Sequence, residues 1–145
     1  MGYKIKYTNE AIAELGKGFV WYRSKELELG QRFREAFNKI RLELKDNPKI
    51  FKQVENNHRR AVLSSSFPYT AHYLIDEKTK TVKIIGVFHQ SRDIELVNEK
   101  IKIRKIHQLK QEKDRTHHQR YKQLEQVRNR QEQEQSKDRD FGLEL

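Results

Sequence analysis

Cysteine is absent from all 145 residues, so neither a disulfide nor a thiolate metal site can hold this chain together. That fits a reducing compartment, and the cytoplasm is the expected location. Long apolar runs are missing as well. Nothing approaches the roughly 20 residues that a bilayer-spanning helix needs, and the opening MGYKIKYTNE has no apolar core of a secretory signal. No membrane partner is expected. There is no phosphate-binding glycine loop of the GxxxxGK type, no GxGxxG and no HExxH, so the common nucleotide and zinc-hydrolase signatures are excluded. Aromatics and prolines are few and unevenly placed. The single Trp, both Pro and every Phe except Phe141 lie before residue 94. Beyond about residue 110 the chain is rich in Gln, Lys, Arg and Glu, and a mean hydropathy of −1.05 places part of it outside any core. These limits divide the chain into a domain at 1–93 and a charged, helical or partly disordered extension at 94–145.

What the sequence has in excess is positive charge. Lys and Arg number 31 against 21 Asp and Glu, a net charge of +10. Residues 1–93 hold 18 basic and 11 acidic side chains, hence +7, and residues 94–145 hold 13 and 10, hence +3. The compact part therefore carries most of the excess. Its partners should be acidic: nucleic acid, an acidic protein or an anionic surface.

The apolar spacing predicts a fold. YKIKY (3–7) alternates apolar and basic residues, a half-buried strand, and Thr8 can cap a helix after it. Ile12, Leu15, Phe19 and Tyr22 recur at helical spacing, with Gly16 and Gly18 as candidates for a packing seam. Leu29-Gly30 breaks that run. Phe33, Phe37, Ile40 and Leu44 make the stripe of a second helix, which Asn47-Pro48 ends. Three strands follow at 59–64, 69–75 and 81–89, the last two joined by a short polar link. The order β-α-α-β-β-β predicts an α+β fold: a small antiparallel sheet packed against an N-terminal helical hairpin, with a C-terminal helical extension. Ile94, Val97, Ile101, Ile106 and Leu109 start that extension. Its ending, KDRDFGLEL, sets three apolar residues after a charged run, as a docking peptide would.

Candidate functional residues gather near the strand ends. His89 and Arg92 follow the last strand, and Arg59 and Arg60 open an earlier one. Arg binds phosphate through two parallel hydrogen bonds, and His moves protons near neutrality. A metal-independent ribonuclease needs that inventory, with His89 as acid or base and Arg60 and Arg92 on the developing phosphorane charge. The plainer alternative is that these groups are solvated or bonded locally. Lys49 and Lys52 could contact a phosphate, although an ordinary loop is the favoured reading. Tyr69 and Tyr73 could stack on bases, yet their alternation with Ala71 and Ile75 favours the core, with His72 on the opposite face. His107, His117 and His118 are too far apart or point apart on a straight helix, so no metal and no cofactor are expected.

Taken in order, YKIKYTNEA, LGQRF, NPKIF, RRAVLSSSFPYTAHYLI and VKIIGVFHQSRD make the first 93 residues resemble the RelE/ParE superfamily of toxins from type II toxin–antitoxin (plasmid-stabilisation) systems. The resemblance implies a compact α+β toxin neutralised by a cognate antitoxin whose C-terminal segment wraps it. RelE-like members cut mRNA in the ribosome, whereas ParE-like members poison DNA gyrase. RelE-like sequences often carry Arg after the aromatic that aligns with Tyr69. Here Thr70 stands there, and no short Tyr-bearing end follows HQSRD. The resemblance therefore leans to the ParE-like, non-catalytic side, with Arg59, Arg60, His89, Arg92, Lys52 and Tyr69 as target contacts. The mRNA endonuclease and a repurposed basic binding module remain the alternatives.

Overall fold

A computed structural model describes residues 2–143, with side chains as far as Lys137. The apolar ending of the chain therefore lies outside the described side chains. The chain falls into two compact units, Met1–Arg104 and Lys105–Leu145.

In the first unit, strand β1 (Lys4–Tyr7) leads through Thr8 into helix α1 (Asn9–Lys25). The Thr8 hydroxyl accepts the Ala11 N–H at 3.2 Å, the expected cap. The helix stops at Glu26, not at Leu29-Gly30, because Glu26 is fully extended (φ −153°, ψ 141°). Helix α2 (Leu27–Asp46) starts at once. Gly30 lies inside it because the hairpin closes tightly there: an added Cβ would sit 2.9 Å from the Arg23 Cβ. Gly18 is a true seam residue, since a Cβ would meet the Phe33 ring at 2.9 Å, whereas Gly16 faces open space. After Asn47 come a 3-10 turn (Pro48–Ile50), then β2 (Lys52–Glu55), β3 (His58–Val62), β4 (Tyr69–Asp76) and β5 (Thr81–His89).

The fold is α+β with an N-terminal helical hairpin, as expected, but the sheet has five strands in the order β1-β5-β4-β3-β2. Strand β1 runs parallel to β5, and the other pairs are antiparallel. Strand β2 escaped the sequence because all four of its residues are exposed, so it has no alternation to show. The hairpin packs Phe33, Ile40, Leu44 and Tyr22 on Ala61, Ala71, Tyr73, Val82, Ile84 and Val87. The Tyr73 hydroxyl donates to the Pro48 carbonyl at 2.6 Å, and burial pushes its ionisation far up.

Helix α3 begins at Ile94, after Asp93 caps it by accepting the Glu95 N–H at 2.9 Å, and runs to Leu143. Its first turns belong to the first unit. There Val97 and Ile101 cover Ile85 and Phe88 on the sheet face opposite the hairpin. Both faces of β5 are thus buried, which is why its sequence is the most apolar of the chain.

One exposed network ties three segments. Glu77 accepts from Lys80 at 2.9 Å and from the Tyr3 hydroxyl at 3.0 Å, and pairs with Lys49 at 3.1 Å. The Lys80 bond, then Lys49, hold its carboxyl down to about 2 from 4.5. A depressed carboxylate stabilises the fold above its unfolded value and loses that contribution as pH falls through its folded value. The stability difference between wild type and Glu77→Gln should be constant above about pH 5 and shrink towards pH 2. Urea unfolding across that range measures it, and a difference that stays flat to pH 2 would show that the network does not act.

Candidate functional site

Alternation along β3 and β4 sorts the candidate residues to two faces. Ala61 and Leu63 point to the hairpin, and Arg59 goes with them: its guanidinium donates to the carbonyls of Lys49 (3.0 Å) and Phe51 (2.8 Å). Arg59 is thus a clamp on the 3-10 turn. Arg60 and Val62 point the other way, towards the start of α3.

On that side lies a groove of about 330 Å³. Lys52 and Arg60 stand opposite each other in the β2–β3 register. Thr70 and His72 come from β4, His89 and Arg92 from the end of β5 and its turn, and Ile94, Val97 and Asn98 from α3. No Asp or Glu lines the groove among the described residues. It brings together Lys52, Arg60, His89 and Arg92, four of the six predicted contacts. Three fixed cations with no carboxylate make an anion receptor, since Arg and Lys meet phosphate or carboxylate oxygens with charge-assisted hydrogen bonds.

His89 has a defined role in that geometry. Its Nδ1 accepts the Ser91 N–H at 3.0 Å and lies 2.7 Å from the Ser91 hydroxyl. A ring nitrogen that accepts an amide hydrogen carries none itself, so the neutral ring keeps its proton on Nε2. The turn HQSRD thus orients His89 through Ser91, and through Asp93 it starts α3.

Tyr69 belongs elsewhere. Its ring packs against Phe33 at 5.2 Å and, edge-on, against His89 at 5.1 Å. Burial, and then the neighbouring Tyr22, raise its ionisation, so the hydroxyl stays protonated. It lines a second hollow, of about 470 Å³, that α1 borders with Glu10, Lys17 and Trp21. His89 and Arg92 border both hollows.

Two features carry no signal in the sequence. His58 and His72 are buried together, with Nε2 and Nδ1 3.0 Å apart. They sit diagonally across β3 and β4, a pairing that only the strand register reveals. Arg104 reaches Glu14, 90 residues away, with Nη1–Oε1 at 2.9 Å and Nη2–Oε2 at 3.1 Å. Among the described residues no three His, Asp or Glu side chains converge as metal ligands, and no helix is long and apolar enough to cross a membrane.

Residues 5–94, from β1 to the first residue of α3, match the family described as the ParE toxin of type II toxin–antitoxin systems, parDE. The chain belongs to the ParE toxin family. The groove's strand residues lie inside the family domain, and nearly all of α3 lies outside it. No curated protein sequence matches this ParE-family toxin. Similar solved structures include the isolated E. coli RelE toxin, at 19% identity over 70% of this chain and 98% of that one, with a TM-score of 0.49. Others are the intact E. coli RelBE toxin–antitoxin complex (22%, 62% and 99%, TM-score 0.48) and the RelBE2 complex from Mycobacterium tuberculosis (22%, 62% and 100%, TM-score 0.47).

Proposed function

We propose that this ParE-family toxin stops growth in the cytoplasm by binding DNA gyrase, without chemistry of its own, and that a cognate antitoxin neutralises it. The family match over residues 5–94 carries the reading. Thr70 supports it, because a threonine lines the groove at the position where RelE-like sequences often place a catalytic arginine. In this reading Lys52, Arg60, His89 and Arg92 grip an acidic surface of the target. The net charge of +10 would speed the encounter at low salt.

The groove also favours a second reading, ribosome-dependent cleavage of mRNA. His89 offers a proton on Nε2, and Arg60 and Arg92 line the same carboxylate-free groove. That is an acid with phosphate-binding cations around it. Parallel assays separate the two. Purified toxin should inhibit gyrase supercoiling at near-stoichiometric amounts and leave ribosome-bound mRNA intact, and His89→Ala should still inhibit. Cleavage of the mRNA, lost by 100-fold or more in His89→Ala, would replace the gyrase reading. Unimpaired growth at verified soluble levels would leave only a basic binding module.

A further inference from the structure

Helix α3 continues beyond the family domain into the second unit as far as Leu143, and its side chains from 109 to 137 are exposed. Polar all round at first sight, it is sorted by charge when its residues are placed at about 100° intervals around the axis. Ile106 and Leu124 are 18 residues apart, five turns at about 3.6 residues each, so they lie on one line about 27 Å long. Leu109 and Val127 repeat the same spacing beside it. All four are at least half exposed.

Lys110, Lys113, Arg120 and Arg128 fall within about 40° of that line, and His117 falls between them. The carboxylates Glu112, Asp114, Glu125, Glu132 and Glu134 all lie about 80° or more away from it. Between residues 106 and 137, the part of the second unit whose side chains are described, one face therefore holds apolar groups and cations with no anion among them. Solvation alone does not require such a face.

We propose that this face docks an acidic amphipathic helix of a partner protein. Charge selects the occupant. A second copy would set Lys and Arg against Lys and Arg, which is repulsive. A nucleic acid would meet Ile106 and Leu124 on the centre line, where it has least to offer apolar side chains. A partner helix with an apolar stripe flanked by Glu or Asp satisfies both components, as e and g charges do in coiled coils.

The test uses the full chain and a labelled synthetic peptide of four heptads, with Leu at the first and fourth positions and Glu beside them. Fluorescence anisotropy should show saturable, salt-sensitive binding. Binding should weaken tenfold or more in Lys113→Glu/Arg120→Glu, in Ile106→Gln/Leu124→Gln, and with a peptide carrying Lys in place of Glu. Circular dichroism checks that the helix persists, and Lys113→Gln/Arg120→Gln, which spares helix propensity, replaces a variant that melts. Absence of saturable binding, equal binding of the Lys peptide, or binding unchanged in all variants would overturn the proposal. So would a 25-base-pair duplex that displaces the Glu peptide and ignores Ile106→Gln/Leu124→Gln, which would make the face a nucleic-acid site. A concentration-dependent dimer that those two changes abolish would instead assign it to a second copy. Every readout is binding, so none depends on toxicity or on the target.

Discussion

Replacing Glu14 with alanine should lower the unfolding free energy of the chain by about 2–3 kcal/mol, at or just under the roughly 3–5 kcal/mol typical of breaking a fully buried ion pair, because this pair keeps some exposure. The reason lies at the end of β1. That strand stops at Tyr7, opposite Ile84, so β5 has no strand neighbour on that side from Ile85 onward. Two side chains take its place. Glu14 accepts the Val87 N–H at 3.1 Å, and Arg104 donates to the Ile85 carbonyl at 3.0 Å. The two then join each other through both oxygens and both terminal nitrogens. Their side chains are only 19% and 16% exposed, so removing one leaves the other short of a partner in a poorly solvated place. The approach needs Gly86, where an added Cβ would come within 2.8 Å of the Arg104 Nη1. Arg104→Ala should cost a similar amount, and hydrogen exchange should quicken at Val97–Arg104 in both variants. Glu14→Met with Arg104→Met should cost less than the sum of the single changes by more than about 1 kcal/mol, because no stranded charge remains. Additive losses below about 0.5 kcal/mol in urea unfolding would show that the pair is an ordinary surface contact.

This pair also marks where the sequence stops informing. The hairpin helices and β3 to β5 were legible because burial of one face imposes a period on the residues. Phe33, Ile40 and Leu44 keep the helical period, and Ala71, Tyr73 and Ile75 keep that of a strand. Strand β2 imposed none, being exposed along its whole length at the sheet edge. Glu26 ends α1 by backbone conformation alone, while the more conspicuous Gly30 serves a close helix contact. The same limit holds at the site. His89, Arg92, Arg60 and Lys52 could be named from their chemistry, but that these four line one groove while Arg59 does not is a matter of strand register that the sequence leaves open. That Arg59 turns away follows from the pleat, once its start is fixed at His58. The Glu14–Arg104 and His58–His72 contacts join segments whose spacing along the chain bears no relation to their distance in space.

Arg59 and Arg60 are adjacent, identical in chemistry and on opposite faces, so they should fail in opposite ways. Arg59→Ala removes two charge-assisted bonds to the Lys49 and Phe51 carbonyls and should lower stability by about 1–2 kcal/mol. At matched soluble levels its growth inhibition should remain, because Arg59 does not line the groove. Arg60 bonds no carbonyl of the 3-10 turn, and its guanidinium is free to meet an anion in the groove beside Lys52. Arg60→Ala should change stability by no more than about 0.5 kcal/mol. Arg60→Glu puts an anion among the cations and should reduce growth inhibition 100-fold or more. That corresponds to about 3 kcal/mol of lost affinity, within the range for a desolvated charge contact. Plating efficiency under induction, read beside urea unfolding of the same variants, separates the two outcomes for either target. Full toxicity of Arg60→Glu would remove the groove from the mechanism. Loss of toxicity in a fully stable Arg59→Ala would move the contact surface to the hairpin side of the sheet, where Tyr69 and Trp21 line the second hollow.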